Sequence, residues 1–217
     1  MEFREGRVIL KRELSALDKF IVNAIAILKQ HVRYVIVSDY VAILFGRPRG
    51  TEDIDILIDS MTKAQFAVFY EAMKNAGYWC LNAESLDAVY RYLEDKSPIR
   101  LALKNKVFPN IELQVSDTKL KRHVLANPLI VEIADAELNI SAIEYQLLYK
   151  RLILGTHVDL EDARFLEEIF KGRLDQKKLD LFESMLKEEG YLKDGRSLDF
   201  VSLEDVVDKK MKKRKAK

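Results

Sequence analysis

The sequence has few of the features that mark secreted, membrane-spanning or general nucleic-acid-binding proteins. Cys80 is the single cysteine in 217 residues, which excludes an intrachain disulfide and is typical of a reducing compartment. No apolar run is long enough to cross a bilayer, and the first residues contain no apolar signal-peptide core. We therefore expect a cytoplasmic protein without a membrane segment.

The net charge of only +1 is unevenly distributed along the chain. The last nine residues, 209–217, carry seven basic side chains and no acidic one. Removing these seven charges changes the net charge from +1 to −6, and a mildly acidic body is not typical of a general nucleic-acid binder. We expect residues 209–217 to be a disordered basic tail, with an RNA contact through this tail as the less favoured alternative.

A pair of acids opens an apolar run near the first quarter of the chain. Residues 54–58 are mostly β-branched and predict a strand. Successive side chains of a strand point to opposite faces, so Asp53 and Asp55 share one face. Two neighbouring carboxylates offer a hard oxygen site suited to Mg²⁺, with Mn²⁺ as an alternative ion. The competing interpretation places both acids on the wet face of an edge strand.

The segment before this pair adds context. Residues 34–37 predict a strand, and residues 40–45 predict a short apolar helix. A strand, a small-residue turn, a short helix and the pattern Arg-x-Thr-x-Asp-hydrophobic-Asp of residues 49–55 resemble the nucleotidyltransferase superfamily with the DNA polymerase β-like fold. The sequence is similar to its minimal bacterial and archaeal branch, which includes antibiotic-resistance enzymes and enzymes of toxin–antitoxin and abortive-infection systems.

This resemblance implies a Mg²⁺-dependent transfer of a nucleoside monophosphate from a nucleoside triphosphate, such as ATP, to a hydroxyl acceptor on a small molecule or a protein. Asp53 and Asp55 would hold the metal. Members of the superfamily have a third carboxylate on a later strand, and Glu112 occupies that kind of place within the predicted strand 111–115. It would complete the metal site or help to deprotonate the acceptor. The alternative for Glu112 is an ordinary polar-face side chain.

The resemblance also implies phosphate-binding residues near the acids. The family's turn after the first strand is usually Gly-Gly or Gly-Ser and binds the triphosphate through its backbone; here the turn is Ser38 and Asp39. In the following loop, Arg47 and Arg49 either clamp phosphates or offset the charge of the aspartates. Thr51 either binds a phosphate or caps the turn.

A second group of candidates lies in the C-terminal part of the chain. The resemblance places Lys150 or Arg151, on the first C-terminal helix, against the triphosphate. Asp159 and Asp162 open the next predicted helix, and we interpret them as an N-cap and a first-turn acid.

Asp39 supports a second hypothesis about function. It places a negative charge where the phosphates of the family's nucleotide lie. The chain would then be a catalytically impaired relative that acts by binding a protein partner, for example in a toxin–antitoxin pair.

The order of predicted elements indicates an α+β fold, with a mixed sheet flanked by helices and then a helical C-terminal region. We predict an α+β domain over residues 1–138 and a helical domain over 139–208, with a linker near 136–140. Ser141 and Glu144 predict a capping box at the first C-terminal helix.

Overall fold

One mixed β-sheet lies at the centre of this computed structural model, which describes residues 1–4 and 6–192. The predicted basic tail 209–217 and the last part of the predicted helical domain, 193–208, lie outside the described residues. Within the described part of the chain, no helix has the length and apolar character that a membrane crossing requires.

Nine strands of the described chain form the sheet, in the order β1-β2-β8-β9-β3-β4-β7-β6-β5. Their bounds are β1 Glu2–Arg4, β2 Arg7–Leu10, β3 Tyr34–Ile36, β4 Asp53–Ile58, β5 Tyr78–Cys80, β6 Ile99–Leu103, β7 Asn110–Val115, β8 Leu129–Ile133 and β9 Ala136–Ile140. Strand pairs β2–β8, β9–β3 and β4–β7 are parallel, and the other neighbours are antiparallel.

Helices connect these strands and then continue beyond the last one. Their bounds are α1 Ala16–Leu28, α2 Asp39–Leu44, α3 Lys63–Asn75, α4 Leu86–Glu94, α5 Lys119–Ala126, α6 Ile143–Leu148, α7 His157–Ile169 and α8 Gln176–Glu188, with a π-helical turn at Tyr149–Leu154 directly after α6. The longer helices begin at capping residues; at α3, for example, Thr62 and Gln65 form a reciprocal capping box.

The alternation of side chains along β4 creates the two halves of the core. Ile54, Ile56 and Ile58 are fully buried on one face, together with residues of α1 and α3. Leu57 points to the other face and packs with residues of α5, α6 and α8. Full burial of each such aliphatic side chain contributes about 1.5–3 kcal/mol, so the alternation fixes which face of β4 presents its two aspartates.

The predicted fold class is confirmed: a mixed sheet is flanked by helices, and the chain from Ile143 to Glu188 is helical apart from short connections. The linker predicted near 136–140 is wrong, because these residues form β9 between β8 and β3. Leu138 and Ile140 are buried while Glu137 is exposed, so the segment has a strand's alternation despite its turn-forming residues. A domain boundary at residue 138 would cut this strand.

The capping box predicted at Ser141 and Glu144 is also wrong. Helix α6 has Ala142 as its N-cap, without a side-chain cap. Glu144 reaches forward instead, and its Oε1 accepts a hydrogen bond from the backbone N–H of Asp175 at 2.9 Å. This contact ties the start of α6 to the N-cap of α8.

Candidate functional site

The three acids selected from the sequence lie on one face of the sheet and form what we call the acidic site: Asp53, Asp55 and Glu112. Strands β4 and β7 are parallel, and their register places Asp55 beside Glu112 and Asp53 beside Asn110. Neighbouring strands are about 4.8 Å apart, so the side chains of Asp55 and Glu112 leave the sheet next to each other. The structure thus brings together two segments that are more than fifty residues apart in sequence.

Asp55 is the most perturbed of these acids. Burial of its carboxyl group, together with the negative charges of Glu112 and Asp53, raises its pKa to about 7. Burial and the neighbouring negative charges both disfavour the ionised form of Asp55. A cation close to this carboxylate would therefore be bound strongly. Carboxyl groups with a raised pKa of this kind are common where proteins bind cations or move protons, which makes Asp55 a candidate for such a role.

Arg100 is a residue of the site that the sequence analysis missed. It lies on β6, directly opposite Glu112 in the antiparallel β6–β7 ladder. Its Nε donates a hydrogen bond to Glu112 Oε2 at 2.7 Å, and half of its side chain is exposed. A single arginine in a strand carries no motif, so only the strand register reveals this contact.

Thr51 caps its own turn in the structure. Its hydroxyl donates a hydrogen bond to the backbone carbonyl of Asp53 at 2.9 Å. Of the two roles left open for Thr51, the structure shows the cap, which holds the entry to β4 in place.

Ser38 has a backbone conformation that favours glycine. It links β3 to α2 with a φ of 63° and a ψ of −138°. Non-glycine residues in such sparsely populated regions cost about 1–3 kcal/mol and cluster at functional sites. The turn therefore has glycine-like geometry although it contains serine.

The negative charge of Asp39 is bound on both of its oxygens. Oδ1 accepts a hydrogen bond from Lys150 Nζ at 2.7 Å, and Oδ2 accepts one from Arg49 at 2.6 Å. Two cations thus bind the carboxylate whose charge supported the hypothesis of an impaired enzyme.

Lys150 lies at the centre of a buried ion network that we call the Lys150 cluster. Its side chain is fully buried, and Nζ also donates to Asp159 at 3.1 Å and to Asp162 at 3.0 Å. Burial alone would lower the pKa of Lys150, but the neighbouring carboxylates, Asp39 first, raise it. The cluster consists of Asp39, Arg47, Arg49, Lys150, Asp159, Glu161 and Asp162.

The two loop arginines belong to the same cluster. Arg49 donates to Asp162 at 2.6 Å, and Arg47 donates to Asp162 at 3.3 Å and to Glu161 at 2.5 Å. Their guanidinium groups thus bind the carboxylates of α7 and do not offset the charges of the acidic site. Arg151, the remaining basic candidate, pairs with Glu167 on α7.

The interpretation of Asp159 as an N-cap is wrong. Thr156 is the N-cap of α7, and its hydroxyl accepts a hydrogen bond from the backbone N–H of Asp159 at 3.2 Å. Asp159 is in the first turn, and Asp162 follows almost one turn later. This spacing directs both carboxylates toward Lys150.

Within the described residues, the acids whose oxygens all lie within 4.8 Å of one another are Asp39, Asp159 and Asp162. The Lys150 ammonium bonds to all three, so a lysine fills the place that a metal ion would take there. The acids of the acidic site are less tightly gathered. Since the described residues give Asp53 and Asp55 no basic partner, the acidic site offers carboxylate ligands to a divalent ion.

A pocket of about 190 Å³ begins at Asp55, and we call it the tyrosine pocket. It is lined by Val37, Ser38, Asp55, Ile56, Leu57, Gln114, Thr118, Leu120, Lys121, Tyr145, Tyr149, Leu154 and Tyr191. The rings of Tyr145 and Tyr149 are stacked, with centroids 5.4 Å apart. The pocket therefore combines flat aromatic surface with polar groups close to the acidic site.

A second recess begins at Asp53, and we call it the outer cleft. It has a volume of about 460 Å³ and is lined by Glu52, Asp53, Leu81, Asn82, Arg100, Val107, Phe108 and Asn110. Val107 and Phe108 are more than half exposed. The acidic site thus has one recess at Asp55 and another at Asp53.

Comparisons with known proteins add little to this geometry. No protein-family model matches the chain, and no curated protein matches it. Among solved structures, the chain is similar to one described as an antigenic nucleotidyltransferase-like protein from Paracoccidioides brasiliensis. The identity is 14%, the match covers 82% of this chain and 90% of that chain, and the TM-score is 0.46. A similarity this weak does not indicate an activity for this chain. The acidic site and its two recesses are the features that bear on function.

Proposed function

We propose that this protein is a Mg²⁺-dependent nucleotidyltransferase that moves a nucleoside monophosphate from a nucleoside triphosphate to a hydroxyl acceptor. The observation that carries the proposal is the position of the acidic site, with the tyrosine pocket at Asp55 and the outer cleft at Asp53. A transferase needs two substrates on either side of one reactive centre, and this arrangement offers a place for each.

The tyrosine pocket suits the nucleotide. The half-buried Tyr149, stacked on the buried Tyr145, offers aromatic surface for a base, and Gln114 and Thr118 offer hydrogen-bonding groups. Ser38 brings the glycine-like turn to the same pocket. Asp39 no longer argues against a triphosphate, because Lys150 and Arg49 bind its carboxylate.

The outer cleft suits the acceptor. Its open shape and exposed apolar rim at Val107 and Phe108 admit a larger molecule than the tyrosine pocket does. Asn82 and Arg100 supply polar contacts there. A hydroxyl group in this cleft would lie next to Asp53 and close to Glu112, which pairs with Arg100.

The residues of the acidic site fit a magnesium ion. Asp53, Asp55 and Glu112 are an all-oxygen donor set, and the pKa of about 7 at Asp55 shows that negative charge there is poorly compensated. When bound, Mg²⁺ would neutralise charge on the triphosphate and polarise its α-phosphate. Mn²⁺ has the same preference for these ligands.

The chain's own side chains would direct the transfer. A carboxylate of the acidic site accepts the proton of the acceptor hydroxyl, and the freed oxygen attacks the α-phosphorus. A new oxygen–phosphorus bond forms, the bond to the β-phosphate oxygen breaks, and pyrophosphate leaves. Arg100 keeps Glu112 turned toward β6 and so toward the outer cleft.

Calorimetric titration of the four Mg²⁺-bound nucleoside triphosphates tests the proposal. We expect one or more of them to bind the wild-type protein, and we expect chelation of Mg²⁺ to abolish that binding. The double variant Asp53→Asn/Asp55→Asn should lose it too, because both charged ligands are gone. Asp59→Asn, on a carboxylate that is one-third exposed and pairs with Arg33 just after β4, is the matched control and should bind as the wild type does.

A protein that binds no nucleoside triphosphate would contradict the proposal. The impaired-enzyme hypothesis, in which the chain acts by binding a protein partner such as the second member of a toxin–antitoxin pair, would then replace it. If binding is observed, transfer of label from an α-³²P-labelled nucleotide to small molecules or proteins of a cell extract identifies the acceptor class.

A further inference from the structure

Among the described residues that line the tyrosine pocket, Lys121 is the only one with a positively charged side chain. Helix α5 begins at the N-cap Thr118 and places Lys121 in its first turn. The helix packs against β3 and β4, the strands that lead into Ser38 and carry Asp55. Lys121 is therefore held by a rigid element next to the nucleotide pocket.

Every basic residue assigned to the triphosphate from the sequence is bound to a carboxylate elsewhere. Lys150 is fully buried against three acids, and Arg47 and Arg49 bind the acids of α7. Arg151 pairs with Glu167. A triphosphate carries about four negative charges, so a pocket that binds it needs a free cation besides the metal.

The present partner of Lys121 can release it. Lys121 Nζ lies 3.0 Å from Asp117 Oδ1, and both side chains are about one quarter exposed, at 26% and 22%. Partly exposed i,i+4 ion pairs of this kind contribute little to stability. Lys96 also approaches Asp117, at 4.0 Å, so Asp117 keeps a basic neighbour when Lys121 turns away.

We propose that Lys121 binds the triphosphate of the nucleotide in the tyrosine pocket and exchanges Asp117 for a phosphate oxygen when the nucleotide enters. This inference rests on the proposed function and adds a specific residue to it. Lys121 then selects for ligands with a long phosphate chain, because a nucleoside monophosphate presents less negative charge to the ammonium group.

The test compares the variants Lys121→Met and Asp117→Asn with the wild type in calorimetric titrations of Mg²⁺-bound nucleoside triphosphate and of the matching monophosphate. Lys121→Met should weaken triphosphate binding about tenfold, since one charge-assisted contact is lost. Its effect on the monophosphate should stay below about threefold. Asp117→Asn should act in the opposite direction and tighten triphosphate binding about threefold, because the competing carboxylate is gone.

Lys119→Met is the matched control on the same helix. Lys119 is two-thirds exposed, pairs with Glu188 and does not line the pocket, so triphosphate affinity should stay at the wild-type value. Circular dichroism melts check that each variant folds.

The outcomes separate this inference from the proposed function. Wild-type protein that binds no triphosphate overturns both. Binding by the wild type that Lys121→Met and Asp117→Asn leave unchanged overturns the inference alone, as does an equal loss in Lys119→Met. Opposite shifts in the two variants, confined to the triphosphate, support it.

Discussion

The Lys150 cluster and the acidic site both gather carboxylates, but their charges are balanced in opposite ways. In the Lys150 cluster, one lysine and two arginines bind every buried acid, and Asp162 alone contacts all three of them. In the acidic site, Arg100 pairs with Glu112, while Asp53 and Asp55 have no basic partner among the described residues. The same residue types thus build a saturated ion network in one place and an unsaturated one in the other.

The difference separates a structural role from a functional one. Buried charges that are fully paired hold elements together, and removing one partner is strongly destabilising. Charges left without partners reduce stability and are retained where they bind or react. By this criterion the Lys150 cluster joins α2 and its following loop to α7, and the acidic site is the candidate for the functional centre.

The largest expected effect comes from removing the centre of the saturated cluster. Lys150→Met leaves three carboxylates without their shared cation, and Asp162 is fully buried. We expect the free energy of unfolding to fall by about 3–5 kcal/mol, measured by urea denaturation. Lys187→Met removes a lysine that is half exposed and pairs with Glu183, and it should change stability by less than about 0.5 kcal/mol. Equal effects in the two variants would show that the cluster is not structural.

Removing a charge from the acidic site should have the opposite effect and increase the free energy of unfolding. The pKa of Asp55 is raised to about 7, so the folded chain holds this proton more tightly than the unfolded chain does. Stability is then lost as the pH rises from about 4 to about 7. Asp55→Asn removes this loss and should stabilise the protein by about 2 kcal/mol at pH 8 without divalent ions, measured by urea denaturation.

Two controls accompany this variant. The gain from Asp55→Asn should shrink toward pH 4.5, and Asp59→Asn should show no comparable gain, because Asp59 pairs with an exposed arginine. Mg²⁺ should stabilise the wild type but not Asp55→Asn. A variant that is less stable than the wild type at pH 8 would mean that Asp55 is already compensated.

The smallest expected effect concerns Arg100, which pairs with Glu112 of the acidic site. Arg100→Gln removes a half-exposed positive charge next to Glu112. At low salt, Mg²⁺ should then bind about threefold more tightly, measured by the Mg²⁺ concentration at the midpoint of thermal stabilisation. Arg91→Gln, on an exposed face of α4, should leave this midpoint unchanged. Weaker Mg²⁺ binding in Arg100→Gln would show that Arg100 mainly orients Glu112.

The local parts of the site could be predicted from the sequence, and the long-range parts could not. The alternation in β4 places Asp53 and Asp55 on one face, which is a property of that strand alone, whereas the β4–β7 register brings Glu112 to the same face. The partners of Lys150 depend on how α2, α6 and α7 pack, and Asp39 is 111 residues away from it in sequence. The sequence therefore indicates Lys150 by its charge, but it does not reveal that the side chain is buried.

The errors in the fold have similar causes. Residues 135–139 contain residues that favour turns, yet pairing with β8 and β3 draws 136–140 into the sheet. Tertiary pairing overrides local propensity at such places. Arg100 and Lys121 escaped notice because neither belongs to a motif; strand register and helix packing bring each of them to the acidic site or its pocket.

The partners in the Lys150 cluster are far apart in sequence, so their contacts can form only late during synthesis of the chain. A chain synthesised only as far as residue 149 already contains Ser38, Asp39 and the whole acidic site. It still lacks Lys150, which binds Asp39, and the α7 acids, which bind Arg47 and Arg49. Because chains emerge from the N-terminus, the Ser38–Asp39 turn gains its Lys150 contact, and the following loop gains its α7 contacts, only after these C-terminal segments have left the ribosome. The protein thus completes the supports of this turn and loop late, when most of the described chain has already been made.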